Sequence, residues 1–138
     1  MRAAALAATV LALLACGAAH AQDGQREIGY GEAEYFNSCA ACHGLEGRGD
    51  GVLAAELKTR PSDLTQLAER NNGAFPFWQV YAVIDGRHVV PGHGTRDMPV
   101  WGQQFLEFDT EEFGPRGGEI ITSERIQELA RYIESLQR

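Results

Sequence analysis

Two cysteines and a histidine lie together in one short segment of this chain, Cys39-Ala40-Ala41-Cys42-His43. The spacing C-x-x-C-H is typical of covalent haem attachment. Cysteines three residues apart on a helical turn lie on one face, so both sulfurs can form thioethers with the same porphyrin edge. His43 follows directly and can place an imidazole nitrogen on the iron. The segment therefore predicts a haem held by Cys39 and Cys42, with His43 as its proximal ligand.

The N-terminus has the form of an export signal. Arg2 precedes an apolar run from Ala3 to Ala15 that is too short to cross a bilayer. Ala19-His20-Ala21 has the small-x-small form of a signal-peptidase site. We therefore expect residues 1–21 to be a cleaved signal peptide and residues 22–138 to be one exported, periplasmic domain.

Cys16 leaves a second possibility open for the N-terminus. Leu13-Leu14-Ala15-Cys16-Gly17 resembles a bacterial lipobox, in which the cysteine is lipidated and becomes the first residue. We prefer cleavage before Gln22, because a complete cleavage site lies just beyond Cys16. A lipid anchor at Cys16 would instead hold the protein at the periplasmic face of a membrane.

The composition fits one acidic domain. The chain has 12 Lys and Arg against 19 Asp and Glu, a net charge of -7. Such a chain is a poor candidate for binding nucleic acid, which requires clusters of Lys and Arg. No later apolar stretch is long enough to span a membrane. The charge predicts protein partners with basic docking surfaces and binding that weakens with salt.

Hydrophobic periodicity predicts an all-α fold without a persuasive pair of strands. The predicted helices in the first two thirds of the chain cover Ile28 to Cys39, Ser62 to Arg70, and about Pro76 to Asp85. Between the first two lies a glycine-rich segment, Gly44 to Gly51. No Gly-Lys-Ser/Thr follows it, so we predict a tight turn and not a phosphate-binding loop.

The last helix is the most clearly marked element. Thr122 or Ser123 is its predicted cap. Its predicted buried face consists of Ile126, Leu129, Ala130, Ile133 and Leu136. The stretch between Gly102 and Thr122 is rich in Asp and Glu, and we predict a solvated acidic loop there rather than a docking patch.

The irregular segment from Arg87 to Gly102 supplies the candidates for the second axial ligand, namely Met98, His88 and His93. A methionine thioether favours ferrous iron and raises the reduction potential. Pro99 stiffens the backbone beside Met98. Glycines flank His93, which favours a surface turn. We therefore predict Met98 as the second ligand.

With His43 and Met98 both on the iron, no coordination position stays open for a reactant. Electron transfer needs only an accessible haem edge, so we predict an electron carrier and not an enzyme. One alternative is an electron-accepting subunit of a larger oxidoreductase or respiratory complex. A haem-based gas sensor, in which Met98 would dissociate, has less support because nothing in the sequence marks a distal pocket.

Beyond the haem motif, the chain resembles the class I c-type cytochromes, in particular the small bacterial monohaem members. The matching positions are Gly31, Tyr35, Cys39 to Gly44, Gly49 to Gly51, Pro61 to Thr65, Met98 to Gly102, Leu129 and Tyr132. The resemblance implies a helical fold in which the first and last helices cross and short helices and loops wrap one covalent haem c. It also implies that His43 and Met98 are the axial pair and that the Pro61 carbonyl orients the proximal imidazole. Four side chains could meet a haem propionate, and spacing does not choose among them: Arg60, Arg87, Arg96 and Trp101.

Two other uses of the motif have weaker support. A structural zinc site needs four ligands, and the remaining His88 and His93 are five residues apart, slightly wide for a paired arm on a helix. A thioredoxin-like thiol pair expects a βαβ context, which the helical pattern does not provide.

Overall fold

The computed structural model describes residues 29–87 and 98–138, and within these two ranges the chain is helical and contains no strand. The α-helices are α1 (Tyr30–Ser38), α2 (Ala40–His43), α3 (Leu67–Arg70), α4 (Phe77–Asp85) and α5 (Trp101–Ser135). Single 3-10 turns cover Ala54–Glu56 and Leu64–Gln66. The predicted all-α class is therefore confirmed for the described residues.

Several predictions concern residues outside these ranges. They are the signal peptide (residues 1–21), the cleavage site before Gln22, the lipid anchor at Cys16, and the alternative ligands His88 and His93. All of them stay predictions.

The hydrophobic core forms where α1 and α4 pack against α5. Its largest contribution comes from the predicted buried face of the last helix, in which Ile126, Leu129, Ala130 and Ile133 are buried and Leu136 is half-buried. Burial of each large aliphatic side chain stabilises a fold by about 1.5–3 kcal/mol. This face therefore fixes α5 against the helices on either side of it.

The helices α1 and α5 lie in close contact at Gly31. A Cβ atom at this position would overlap the backbone carbonyl of Glu128, so only glycine allows the two helices to lie so close. One turn later, Tyr35 packs its ring against Tyr132 with centroids 5.1 Å apart. The position of α1 is thereby fixed immediately before Cys39.

The helix α4 follows its prediction closely. Val80 and Ile84 are buried, and Phe77 and Tyr81 pack against the same core. The helix ends at Gly86, whose φ of 58° is the left-handed conformation that commonly terminates helices.

The prediction of a loop between Gly102 and Thr122 is wrong. The helix α5 already begins at Trp101, and its only non-helical residue is Gly114, with φ 72° and ψ 172°. Glycine adopts this positive φ at little cost, and Pro115 suits the first turn of a helix because no backbone N–H is needed there. Gly114 therefore divides α5 into a first arm (residues 101–113) and a second arm (residues 115–135).

The two arms lie side by side in opposite directions. Gly118 packs against Thr110 so closely that a Cβ atom would overlap it. Thr122 is buried and donates a hydrogen bond through Oγ1 to Oδ2 of Asp109 at 2.8 Å. Thr122 therefore joins the two arms from inside the second one and is not the helix cap that the sequence predicted.

Candidate functional site

The helix α2 places two thiols and an imidazole on one helical turn. The backbone N–H groups of Cys42 and His43 both donate to the carbonyl of Cys39, at 3.1 and 2.9 Å. The two cysteines do not form a disulfide, and Cys39 is buried while Cys42 is half-buried. The three residues of the predicted haem motif therefore share a single turn next to the core.

The ring of His43 is oriented by the backbone of the segment before α3. Its Nδ1 lies 3.1 Å from the carbonyl oxygen of Ser62, and the tautomer with hydrogen on Nδ1 donates this bond. The predicted acceptor, the Pro61 carbonyl, is wrong by one residue. The Pro61 carbonyl lies instead against Gly49, where any Cβ atom would overlap it.

This environment favours the form of His43 that binds metal ions. Burial lowers the pKa of His43, and the contact with the Ser62 carbonyl only partly opposes that shift. The imidazole is therefore neutral at neutral pH. With Nδ1 directed to Ser62, Nε2 is the nitrogen left for a metal.

The glycine-rich segment folds back over the end of α2. Three backbone amides, those of Gly49, Gly51 and Leu53, donate to the last carbonyls of the motif turn at 2.8–3.1 Å. These carbonyls would otherwise lack partners at a helix end. Gly44 and Gly49 have positive φ values of 83° and 73°, which other residues rarely adopt. The predicted tight turn is present, and it closes around the motif.

Tyr35 connects this segment to α1. It is fully buried, and its hydroxyl donates to the Gly44 carbonyl at 2.7 Å. Burial raises the pKa of Tyr35 far above its ordinary value. The hydroxyl therefore stays protonated and keeps donating this hydrogen bond at neutral and mildly alkaline pH.

The pKa of the Cys39 thiol is not that of a reactive cysteine in a redox-active pair. Burial, followed by the nearby Glu34 and Cys42, raises the pKa of Cys39 to about 12. Reactive cysteines of thiol oxidoreductases have lowered pKa values, since the thiolate is the nucleophile. This environment argues against the thioredoxin-like alternative.

Met98 lies at the edge of the core, shortly before α5. It is half-buried and packs against the core residues. The residues that follow it contact the end of α4, where Gly86 adjoins Val100 and Asp85 adjoins Gly102.

The candidates for propionate contacts divide between described and undescribed positions. Arg87 donates through Nε to Asp85 at 2.7 Å and through a terminal nitrogen to Glu119 at 3.0 Å. Trp101 stacks on Phe105, with ring centroids 5.7 Å apart. Arg96 lies outside the described residues.

Sequence reasoning missed a buried charged cluster between the arms of α5. Asp109 is fully buried, and its Oδ1 accepts from Arg125 at 2.6 Å. Arg125 also reaches Glu34 on α1 at 3.3 Å, and its guanidinium lies 5.0 Å from the centroid of the Phe105 ring. Arg125 and Thr122 lie three residues apart on the second arm, but the partner Asp109 was assigned to a loop, so no spacing in the sequence joined the three.

Residues 29–87 and 98–138 contain neither a cluster of metal-binding side chains nor a membrane-spanning helix. In these ranges no three His, Cys, Asp or Glu side chains converge in a way that could hold a metal ion. No helix there combines the length and apolar character needed to cross a bilayer.

The comparisons with known proteins agree with the site. A family model matches residues 26–133, which is most of the chain. Together with the helical fold and the motif on α2, this match defines a c-type cytochrome domain. The chain belongs to the family described as cytochrome C oxidase, cbb3-type, subunit III. Comparisons with curated proteins and with solved structures found no match.

Membership confirms the resemblance to c-type cytochromes and its main chemical implications. A domain of this family carries covalently attached haem c and transfers electrons. It acts as an electron carrier, and such a role requires redox partners.

Proposed function

We propose that this protein is a periplasmic electron-transfer protein that carries one haem c with His43 and Met98 as axial ligands. The single observation that carries the proposal is the turn of α2, with two thiols and an oriented, neutral imidazole within five residues. The contact of α1 with α5 at Gly31 supports a fold in which the first and last helices cross beside the haem.

The residues of this turn fit the group. Cys39 and Cys42 would each form one thioether bond as their S–H adds to a vinyl substituent of the porphyrin. His43 would bind iron through Nε2, with its ring held by the Ser62 carbonyl. When bound, haem supplies a one-electron couple between ferric and ferrous iron.

Met98 supplies the second ligand in this proposal. Its soft sulfur stabilises ferrous iron relative to ferric iron and so raises the reduction potential. With His43 and Met98 as its two protein ligands, the haem would leave no position for a reactant and would exchange only electrons. The half-buried position of Met98 at the core edge supports this role.

The direct test of axial ligation is Met98→Ala. We expect the haem to stay attached, the reduction potential to fall, and the far-red absorption band of methionine-ligated ferric haem to disappear. An unchanged potential and far-red band would reject Met98 as the ligand. Carbon monoxide binding to the reduced wild-type protein, with displacement of Met98, would instead favour the gas-sensor alternative.

Attachment is tested separately at the two cysteines. Intact mass should show one haem on the wild-type protein, expressed in a host with working cytochrome maturation. Cys39→Ala and Cys42→Ala should each leave a single thioether, which shifts the spectrum of the denatured, reduced haem. If both substitutions left that spectrum unaltered, the assignment of the thioethers would be wrong.

A permanent subunit of a larger oxidoreductase is the second candidate function, because the matched family is described as an oxidase subunit. Three apolar residues on α5 are at least half exposed: Phe108 at 58%, Phe113 at 50% and Ile120 at 55%. A net charge of -7 favours transient docking to basic partners instead. Electron exchange that slows steeply with ionic strength supports the free carrier, whereas co-migration with an intact membrane oxidoreductase supports the subunit.

Export is part of the proposal. The mature protein should begin at Gln22, and the periplasmic fraction should contain it. N-terminal sequencing and intact mass distinguish this form from one that is lipidated at Cys16.

A further inference from the structure

We propose that Asp85 and Gly102 are positioning residues that hold the segment carrying Met98 against the end of α4 and thereby set the strength of the bond between Met98 and iron. Both roles depend on the proposed function, in which Met98 is an axial ligand.

The first observation is the contact of Gly102 with Asp85. Gly102 is buried in the first turn of α5. A Cβ atom on it would overlap both the backbone oxygen and Oδ1 of Asp85, and would lie only 2.9 Å from the Cα of Asp85. Real Cβ atoms do not approach backbone atoms so closely, so residue 102 must be glycine for α5 to begin at this point.

A second contact fixes the direction of the chain, and it joins the residue after Asp85 to the residue two positions before Gly102. An ideal Cβ on Gly86 would lie 3.3 Å from Cγ1 of Val100 and 3.4 Å from its Cα. Two residues at the end of α4 therefore hold positions 100 and 102. Two residues of extended chain span at most about 7 Å, so Met98 has little freedom relative to α4. Pro99, between Met98 and Val100, restricts the backbone further.

Asp85 is itself held in place by burial and by an ion pair. Its side chain is buried, with 4% of the residue exposed, and Oδ1 accepts from Nε of Arg87 at 2.7 Å. Arg87 in turn donates to Glu119 on the second arm of α5 at 3.0 Å. A buried carboxylate is costly unless it is paired, so Asp85 keeps the geometry in which Arg87 can reach it. Asp85 and its partner Arg87 thus connect the end of α4 to the start of α5 and to the second arm.

The effect of these contacts can be measured because Met98 and an added ligand would compete for the same position on the iron. An added ligand binds ferric iron only where it displaces Met98, so its apparent affinity rises by the factor by which the Met98 bond weakens. Overpacking a close contact costs about 1–3 kcal/mol, which corresponds to a factor of roughly 5 to 150. A change at Gly102 should therefore be measurable at the haem without removing Met98.

The experiment compares Gly102→Ala with Gly31→Ala in the haem-loaded protein. Both glycines lie in helices where a Cβ atom would overlap a backbone carbonyl, but Gly31 adjoins Glu128 and not the Met98 segment. For Gly102→Ala we expect a weakened or lost far-red band and at least about tenfold tighter binding of added imidazole to the ferric form. Gly31→Ala should unfold at lower denaturant concentration while keeping the band and the wild-type imidazole affinity in native buffer. If Gly102→Ala keeps both properties, or if the two variants change them equally, the positioning role is overturned.

A second pair of variants covers the case in which Gly102→Ala does not fold. Asp85→Asn keeps the shape of the side chain and removes the charge that holds Arg87. Asp109→Asn makes the same change at another buried carboxylate of the molecule, one that pairs with Arg125. We expect the imidazole affinity to rise for Asp85→Asn and to stay at the wild-type value for Asp109→Asn. Equal affinities in these two variants would contradict the inference.

The outcomes separate this inference from the proposed function. A wild-type protein without the far-red band, or a Met98→Ala variant that retains it, would reject the axial role of Met98 itself. If Met98→Ala removes the band while Gly102→Ala and Asp85→Asn leave it intact, the axial role stands and only the positioning role fails.

Discussion

The turn around Cys39 and the paired arms of α5 are stabilised by different kinds of interaction. At the turn, backbone amides of the glycine-rich segment donate to backbone carbonyls of α2, and a second backbone carbonyl, that of Ser62, orients His43. Between the arms of α5, the contacts are made by side chains, with Asp109 and Arg125 at their centre. The backbone contacts of the glycine-rich segment depend on glycines, which can adopt its positive φ values. Side-chain contacts between distant positions can be lost through a single substitution.

The largest expected effect is on the side-chain contacts. Asp109→Ala should lower the free energy of unfolding by about 3 kcal/mol, because Arg125 then loses the shorter of its two ion pairs and keeps only the contact with Glu34. It also leaves the Thr122 hydroxyl without its acceptor. Denaturant titration of the oxidised protein measures the change.

Glu111→Ala is the matched control for this prediction. Glu111 is an exposed carboxylate on the same arm, and its removal should change the stability by less than about 0.5 kcal/mol. The far-red band should persist in both variants, because neither residue touches the Met98 segment. Similar losses of stability in both variants would mean that the buried pair does not hold the arms together.

The next effect is on the backbone contacts. Gly49→Ala should cost more than about 2 kcal/mol, because a positive φ of 73° disfavours alanine and the new Cβ would also overlap the Pro61 carbonyl. Displacing Pro61 moves the adjacent Ser62 carbonyl away from His43. We therefore expect a higher reduction potential in addition to lower stability, because a proximal imidazole that loses its hydrogen bond is a weaker donor and stabilises ferric iron less.

Gly73→Ala separates the cost of the positive φ from the effect of the overlap with the Pro61 carbonyl. Gly73 has a similar φ of 87° but nothing within 4 Å of the position of a Cβ. Its substitution should cost only about 1 kcal/mol, the penalty for the backbone conformation alone, and should leave the potential unchanged. Equal effects on the potential at both sites would show that the Ser62 contact does not tune the iron.

The contrast between the motif turn and the paired arms of α5 also explains which features could be predicted from the sequence. The motif turn, the apolar face of α4 and the buried face ending at Ile133 depend on spacings of three or four residues, and all were predicted. The glycine-rich turn was predicted for the same reason, since its glycines mark the chain reversal directly. The acceptor for His43 was missed by one residue, because the Pro61 carbonyl lies against Gly49 while the Ser62 carbonyl meets His43, and no spacing in the sequence distinguishes the two.

The first arm of α5 was missed for a different reason. Its charged residues and the pair Gly114-Pro115 are typical of loops, and the prediction followed them rather than the helical spacing of Trp101, Phe105 and Phe108. Its stability as a helix comes from Asp109 and Phe105, which meet Arg125 only after the chain has reversed. A partner sixteen residues away leaves no periodic signal in the sequence. The packing of Met98 against the core could not be predicted either, because the residues around it give no periodic signal of that contact.

The smallest expected effect tests a purely local contact, the cap of the 3-10 turn Leu64–Gln66. Asp63 accepts from the backbone N–H and the hydroxyl of Thr65 at 2.9 and 2.7 Å. The hydrogen bond from the Thr65 side chain is the main cause that lowers the pKa of Asp63. A carboxyl group whose folded pKa is lowered stabilises the protein above its unfolded pKa of about 4, and that contribution is lost as the pH falls through the folded value. Asp63→Asn should therefore cost a few tenths of a kcal/mol at pH 7, since asparagine is nearly as good a cap, and the difference from wild type should vanish in acid. Denaturant titrations of both proteins at neutral and acidic pH measure it, and a difference that grows on acidification would show that the carboxylate is not stabilised by this turn.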